Sequence, residues 1–220
     1  MNDDPNRAED WIRLPDEELR RFAASLFLAA GLDAEKAHCV ARLLVLTDMM
    51  GQPTHGLAQC EAYLEQIELG QMTCDGEPDV VRDSGGAVVW DGGYRPGLWL
   101  VDRATKLGIE RVRGHGVFTC AIRRSHHIGC LAALAKTATD HGLYVTVASS
   151  GPHSKLVAPY GGKAPLFSPN PFAIGFPATP SGARGHLCLA DNPFHGAGKS
   201  RRRNPLRACL VDGQSRASHA

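Results

Sequence analysis

Nowhere in its 220 residues does the chain keep an apolar run near the roughly 18 positions that a membrane-spanning helix needs, so it reads as a soluble protein. It has no CxxC pair. Its seven cysteines (Cys39, Cys60, Cys74, Cys120, Cys130, Cys188, Cys209) are odd in number and widely scattered, which argues against a disulfide framework and against a structural zinc knot. They are expected to be reduced, mostly buried small residues. No GxGxxG follows a strand and opens a helix, so a dinucleotide site of the Rossmann kind is not supported. The opening, MNDDPNRAEDW, lacks the basic and apolar regions of a signal peptide; export by that route is not expected, and the cytoplasm is the expected compartment.

What is present is ordinary in bulk. Hydrophobic residues make up 43% and charged residues 21%, enough for one substantial core or for a large domain with a small one. Net charge is +1 but unevenly spread: residues 181–220 carry seven Lys or Arg against two acids, leaving 17 basic and 21 acidic residues before them.

Periodicity divides the chain. Leu19, Phe22, Ala23, Leu26 and Ala30 recur at helical spacing over 16–30, with acids in the first turn and Gly31 as the stop. Asp33 is placed to cap a second helix, whose stripe is Ala37, Val40, Ala41, Leu44 and Val45. A third helical stretch runs from Leu57 to Gly70. From Pro78 two β-branched runs flank Asp83-Ser84-Gly85-Gly86, the pattern of a hairpin. There follow a helix of about 18 residues, a strand at 116–122, a helix at 128–141 and a strand at 143–150. The expected fold is α/β: residues 1–75 form an N-terminal helical unit, residues 76–182 an α/β core, and residues 183–220 a divergent basic tail. A hairpin in that order predicts a sheet that is mixed or mostly antiparallel. Residues 151–178 are rich in Pro and Gly, and long irregular segments of this kind commonly carry function.

The stretch RRSHHIG, 123–129, puts Ser125, His126 and His127 where a strand hands over to a helix. Three readings are open on residue type alone. A metal pair is disfavoured, because adjacent residues of an extended segment point to opposite faces and no third ligand stands nearby. A general acid/base is reasonable, since imidazole titrates near neutrality. A surface histidine beside a packed one is the bland alternative. Thr54-His55 and Lys155 are weaker alone, reading as a capping pair and a solvated lysine.

Three segments in order change the balance. DMMGQPTHGLAQCEAYLEQIELGQM (48–72) resembles the N-terminal segment of the type 2, non-Rossmann malate/L-lactate dehydrogenase family, in which an Asp, a Gly, a Ser-His-Gly and a Tyr recur before a helix ending in Gly. RRSHHIG resembles that family's Asn-Ser-x-His-Phe-Gly, and KLVAPYGGKAPLFSPNPFAIGFPA (155–178) its APxGG and Gly-Thr-Asn-Pro stretch. The resemblance covers about residues 15–180. It implies an NAD- or NADP-dependent oxidoreductase of small 2-hydroxy acids, or related keto or imino acids, on a mostly antiparallel cofactor fold. By position, it implies His127 as the catalytic histidine, with Thr54 and His55 lining the reaction site and Gln59 and Tyr63 on the substrate side. Lys155, Gly161, Gly162 and Asn170 fall at cofactor-binding positions. No metal is implied. A complete chain is expected to be a homodimer, with a small 2-hydroxy or 2-oxo acid as its partner and no membrane.

Departures matter as well. Many members carry an arginine, suited to a substrate carboxylate, where this chain has Gln59; Thr54 replaces Ser, and SPNP replaces Gly-Thr-Asn-Pro at 168–171. Family members exceed 300 residues and continue with Asp-x-Ala-Thr-Ser and Gly-Gly-His-Lys-Gly segments that supply much of the cofactor site. Here the sequence turns Arg-rich after 182. The expectation is a truncated or frameshifted frame over 183–220, with a solvated native tail or a nucleic-acid arm through Arg201, Arg202 and Arg203 as the other readings. Accordingly, an inactive fragment of such an enzyme is the alternative function, and a nucleic-acid partner is not expected.

Overall fold

The structure is a computed structural model that describes residues 14–151, 155 and 157–177, together with the backbone of strand 186–189. Helix α1 spans Asp16–Ala29 and α2 Ala34–Met49; the Asp33 carboxylate accepts the Lys36 N–H at 3.0 Å, the cap expected from its position. Two short 3₁₀ turns, Pro53–His55 and Leu57–Gln59, lead into α3, Cys60–Glu68. The single helix read over 57–70 is thus shorter, and the THG segment is wound into tight turns before it.

Strands β1 (Asp79–Asp83) and β2 (Ala87–Arg95) form the expected antiparallel hairpin. Helix α4, Gly97–His115, crosses over to β3, Thr119–Ser125, which pairs parallel with β2. Helix α5 (Leu131–Asp140), β4 (Val145–Ala148), β5 (Phe172–Gly175) and β6 (His186–Leu189) complete the order. Three of the four strand pairings are antiparallel, as the hairpin implied. They are, however, divided between two three-stranded sheets, β1-β2-β3 mixed and β4-β5-β6 antiparallel, where one was expected. Strand β3 also begins later than the apolar run at 116–122 suggests, because α4 continues to His115 and Gly116 ends it at φ +74°.

One apolar cluster ties the early helices to the later ones. Phe27, Leu43 and Leu44 from α1 and α2 pack with Tyr63 of α3, Leu98 and Trp99 of α4, and Leu131 and Leu134 of α5. Trp99 is fully buried; its indole N–H donates to Glu35 at 3.0 Å, and the Lys36 ammonium lies 4.1 Å over its ring. That core holds Tyr63 of α3, whose hydroxyl reaches the link after β3.

Five cysteines fall within the described residues, all free: Cys39 and Cys130 are buried and the other three half-buried. Burial pushes the Cys39 thiol up to about 12 and those of Cys60 and Cys120 to about 11, so all three are inert thiols at neutral pH. Among the described residues no helix is long and apolar enough to cross a membrane. The basic tail expected at 183–220, with Arg201, Arg202 and Arg203, lies outside the described residues apart from the backbone of β6.

Candidate functional site

His126 and His127 sit in the link between Ser125, the last residue of β3, and Leu131, the first of α5, at the junction expected from sequence. The backbone reaches that link under constraint. Arg124 adopts φ +51°, an uncommon state for a residue with a side chain, and is held there through Asp91. The buried Asp91 carboxylate accepts from Arg124 Nε at 2.7 Å, Arg123 Nε at 2.9 Å and the Gly93 N–H at 3.0 Å. The Arg124 guanidinium is the first cause that holds the Asp91 pKa down at about 2. On the other side, a Cβ at Gly97 would stand 2.2 Å from the His126 carbonyl oxygen and 2.6 Å from that of His127. Only glycine at the start of α4 lets the histidine backbone lie this close.

The two histidines then part. His126 Nε2 meets the Gln71 carbonyl at 2.8 Å, and its ring lies edge-on to Tyr94. His127 goes the other way: its Nδ1 is 2.8 Å from the Tyr63 phenol oxygen, and its ring centroid is 5.7 Å from that of His55. His55 is set in turn by Thr54, whose hydroxyl is 2.9 Å from His55 Nδ1. The Gln59 amide donates to the Thr54 carbonyl at 2.7 Å and closes the turn. Beneath it, the Asp48 carboxylate accepts the Leu57 N–H at 2.9 Å.

The structure therefore gathers His127, His55, Thr54, Gln59 and Tyr63 from two distant segments. His127 retains solvent exposure as a residue, yet its Nδ1 edge is packed inward; that burial first, and His55 second, lower its pKa below the ordinary imidazole value. Tyr63 is buried, and burial raises its pKa well above the usual phenol range, so its hydroxyl is neutral. The result is a cluster with a neutral imidazole, His127, beside a neutral phenol, Tyr63. Two hollows formed by the described residues, of about 290 Å³ beside Ile109 and His141 and about 210 Å³ beside Arg42 and Lys136, include none of these side chains. Thr54, His55 and His127 are exposed, Gln59 is half-buried and Tyr63 is buried.

Lys155, Gly161, Gly162 and Asn170 lie on a separate segment. Val157 bridges Phe167 across a turn in which Gly161 takes φ +74° and the Gly162 N–H donates to the Pro159 carbonyl at 2.8 Å. All four residues are exposed, and among the described residues no hydrogen bond, ion pair or ring contact joins them to His127.

Sequence reasoning left three contributors without a role. Asp48 opens the family-like segment 48–72, Asp91 is a lone carboxylate at the end of a β-branched run, and Gln71 offers only its carbonyl. A buried acid in an apolar strand was a usable signal for Asp91; a backbone acceptor leaves none.

The family model for malate/L-lactate dehydrogenase matches residues 14–189. Hydroxycarboxylate dehydrogenase B of Escherichia coli O157:H7 is 28% identical over 169 residues, which cover 77% of this chain and 47% of that protein. The (2R)-3-sulfolactate dehydrogenase (NADP(+)) of Chromohalobacter salexigens is 29% identical, over 73% of this chain and 47% of its own length. The structure of malate dehydrogenase from Pyrococcus horikoshii OT3 superposes with a TM-score of 0.73 at 27% identity, over 83% of this chain and 51% of that one. The chain spans about half the length of the curated relatives it matches.

Proposed function

The chain belongs to the malate/L-lactate dehydrogenase family, and from that membership we propose that it is an NAD- or NADP-dependent oxidoreductase acting on carbon 2 of a small 2-hydroxy acid, or of a related keto or imino acid. The observation that carries the reading is the His127 imidazole, kept neutral and steadied by Tyr63 beside His55. A neutral imidazole within reach of a hydroxyl accepts its proton during oxidation and returns it during reduction.

Thr54 and His55 supply donors beside the reacting oxygen, and Gln59 and Tyr63 border the substrate. No guanidinium joins the cluster among the described residues, so the substrate carboxylate is met by neutral donors and by His55. Lys155, Gly161, Gly162 and Asn170 are the proposed cofactor contacts. Their chemistry fits a nucleotide, for Lys155 offers an exposed ammonium and the Gly161 turn an accessible backbone where no atom lies within 4 Å of a Cβ position. When bound, a nicotinamide nucleotide supplies the hydride acceptor or donor. A homodimer working in the cytoplasm extends the same reading.

The test is direct. The purified 220-residue chain is titrated with NADH and NADPH by nicotinamide fluorescence and thermal shift, then assayed for cofactor oxidation against a panel of small 2-oxo acids. Saturable binding with turnover of at least one acid is expected. No binding at millimolar cofactor would sink the enzyme reading for this chain in favour of an inactive fragment.

A further inference from the structure

The contact between Tyr63 and His127 contains information about which ring nitrogen reacts. Their 2.8 Å separation holds one proton, and two arrangements are open: the phenol O–H donates to a bare Nδ1, or an Nδ1–H donates to the phenol oxygen. The first leaves Nε2 with the proton of the neutral ring; the second leaves Nε2 with a lone pair. An acid/base imidazole alternates between neutral and cationic forms, and in the cation both nitrogens carry hydrogen, so the phenol oxygen can then only accept. The second arrangement is therefore common to both halves of the cycle. Proton exchange at Nε2 then needs no rearrangement at Tyr63, whereas the first would require the hydroxyl to turn at every transfer.

The surroundings support a fixed ring. Tyr63 is 5% exposed and belongs to the core cluster, so its oxygen is not free to follow the imidazole. Gly97 and the Gln71–His126 contact hold the backbone on the other side. Among the described residues His127 is the hydrogen-bond partner of the Tyr63 hydroxyl.

We infer that Tyr63 is the positioning residue that holds His127 in its Nδ1–H tautomer and makes Nε2 the nitrogen that exchanges the proton with substrate. This rests on the reading of His127 as the acid/base. In oxidation the substrate hydroxyl proton would pass to Nε2 of His127 while Nδ1–H stays hydrogen-bonded to Tyr63; the hydride from carbon 2 would be taken up by a bound nicotinamide nucleotide to leave a carbonyl, and reduction would reverse both transfers.

The experiment records two-bond ¹⁵N–¹H correlations on the full chain labelled at histidine, with His127 assigned by the signals lost in His127→Ala. Above its pKa, wild-type His127 is expected to show a pyrrole-type Nδ1 and a pyridine-type Nε2. In Tyr63→Phe the two nitrogens are expected to move toward each other as the tautomers mix. Turnover of the same variant is expected to fall about tenfold to a hundredfold in kcat, with KM changed less than about threefold. A wild-type spectrum with Nε2 protonated, or a spectrum unchanged in Tyr63→Phe, overturns the inference; the wild-type spectrum decides even if the variant folds poorly. If His127→Ala keeps full turnover, the reading of His127 itself fails and the inference with it. A wrong tautomer with an inactive His127→Ala overturns the inference alone.

Discussion

The Asp48 carboxylate fills the space that a Cβ on Gly56 would occupy, with Oδ1 1.8 Å from that position, and from there accepts the Leu57 N–H. The turn that presents Thr54 and His55 is thus built over a half-buried acid, whose pKa partial burial raises. Gly56→Ala forces either the turn or the α2 end to move. The expected result is a loss of about 1–3 kcal/mol in stability, as for overpacking elsewhere, with a larger proportional loss of turnover because Thr54 and His55 move with the turn. Denaturant melts and a steady-state assay check it; an unchanged melting midpoint would show that the turn yields freely.

The paired histidines should separate under mutation. His127→Ala is expected to remove proton exchange and lower kcat by roughly 10²–10⁴-fold, the range for a general acid/base. His126→Ala loses a hydrogen bond to the Gln71 carbonyl and an edge contact with Tyr94, costing about 1 kcal/mol of stability and little kcat. Equal kinetic effects would show that the assignment between them is wrong.

Much of this was legible in the sequence, for identifiable reasons. Apolar spacing at 3.6 gave α1 and α2, and the Asp83-Ser84-Gly85-Gly86 turn gave the hairpin, because these signals are local. The division into two sheets was not legible, since it depends on which strand finds which partner across intervening helices. The site follows the same rule. His127 could be placed on a motif, but its pairing with Tyr63, 64 residues away, and the hold of Asp91 on Arg124 exist only once the chain is packed.

Acid should act on the two reaction directions in opposite senses. If His127 is the proton acceptor as proposed, oxidation would need it neutral; its pKa is held below the ordinary value of about 6.5 by burial and then by His55. Hence kcat/KM for oxidation is expected to stay level from neutrality to about pH 6.5 and to fall only below it, while reduction gains over the same window. Stability follows the same sign: the unfolded chain takes up this proton at higher pH than the folded one, so His127 costs nothing above about pH 6.5 and destabilises progressively as pH falls through its folded value. A pH–rate profile whose acid limb lies above 6.5 would refute the assignment.

Under the proposed function, substrate choice is the property most open to redesign, because among the described residues the cluster holds no guanidinium to meet an anionic substrate. Gln59 donates its amide to the Thr54 carbonyl and stands at the position where an arginine would offer two parallel N–H groups to a carboxylate. In Gln59→Arg one guanidinium N–H can still reach the Thr54 carbonyl while the others face the substrate side. The variant is expected to lower KM for a four-carbon 2-oxo dicarboxylate by about tenfold, the weight of one charge-assisted pair, and to change KM for a three-carbon monocarboxylate far less. The ratio of the two kcat/KM values is the measurement. If both substrates improve equally, the new charge acts by general attraction and Gln59 does not border the distal carboxylate; if neither changes, residue 59 serves only the turn that carries Thr54 and His55.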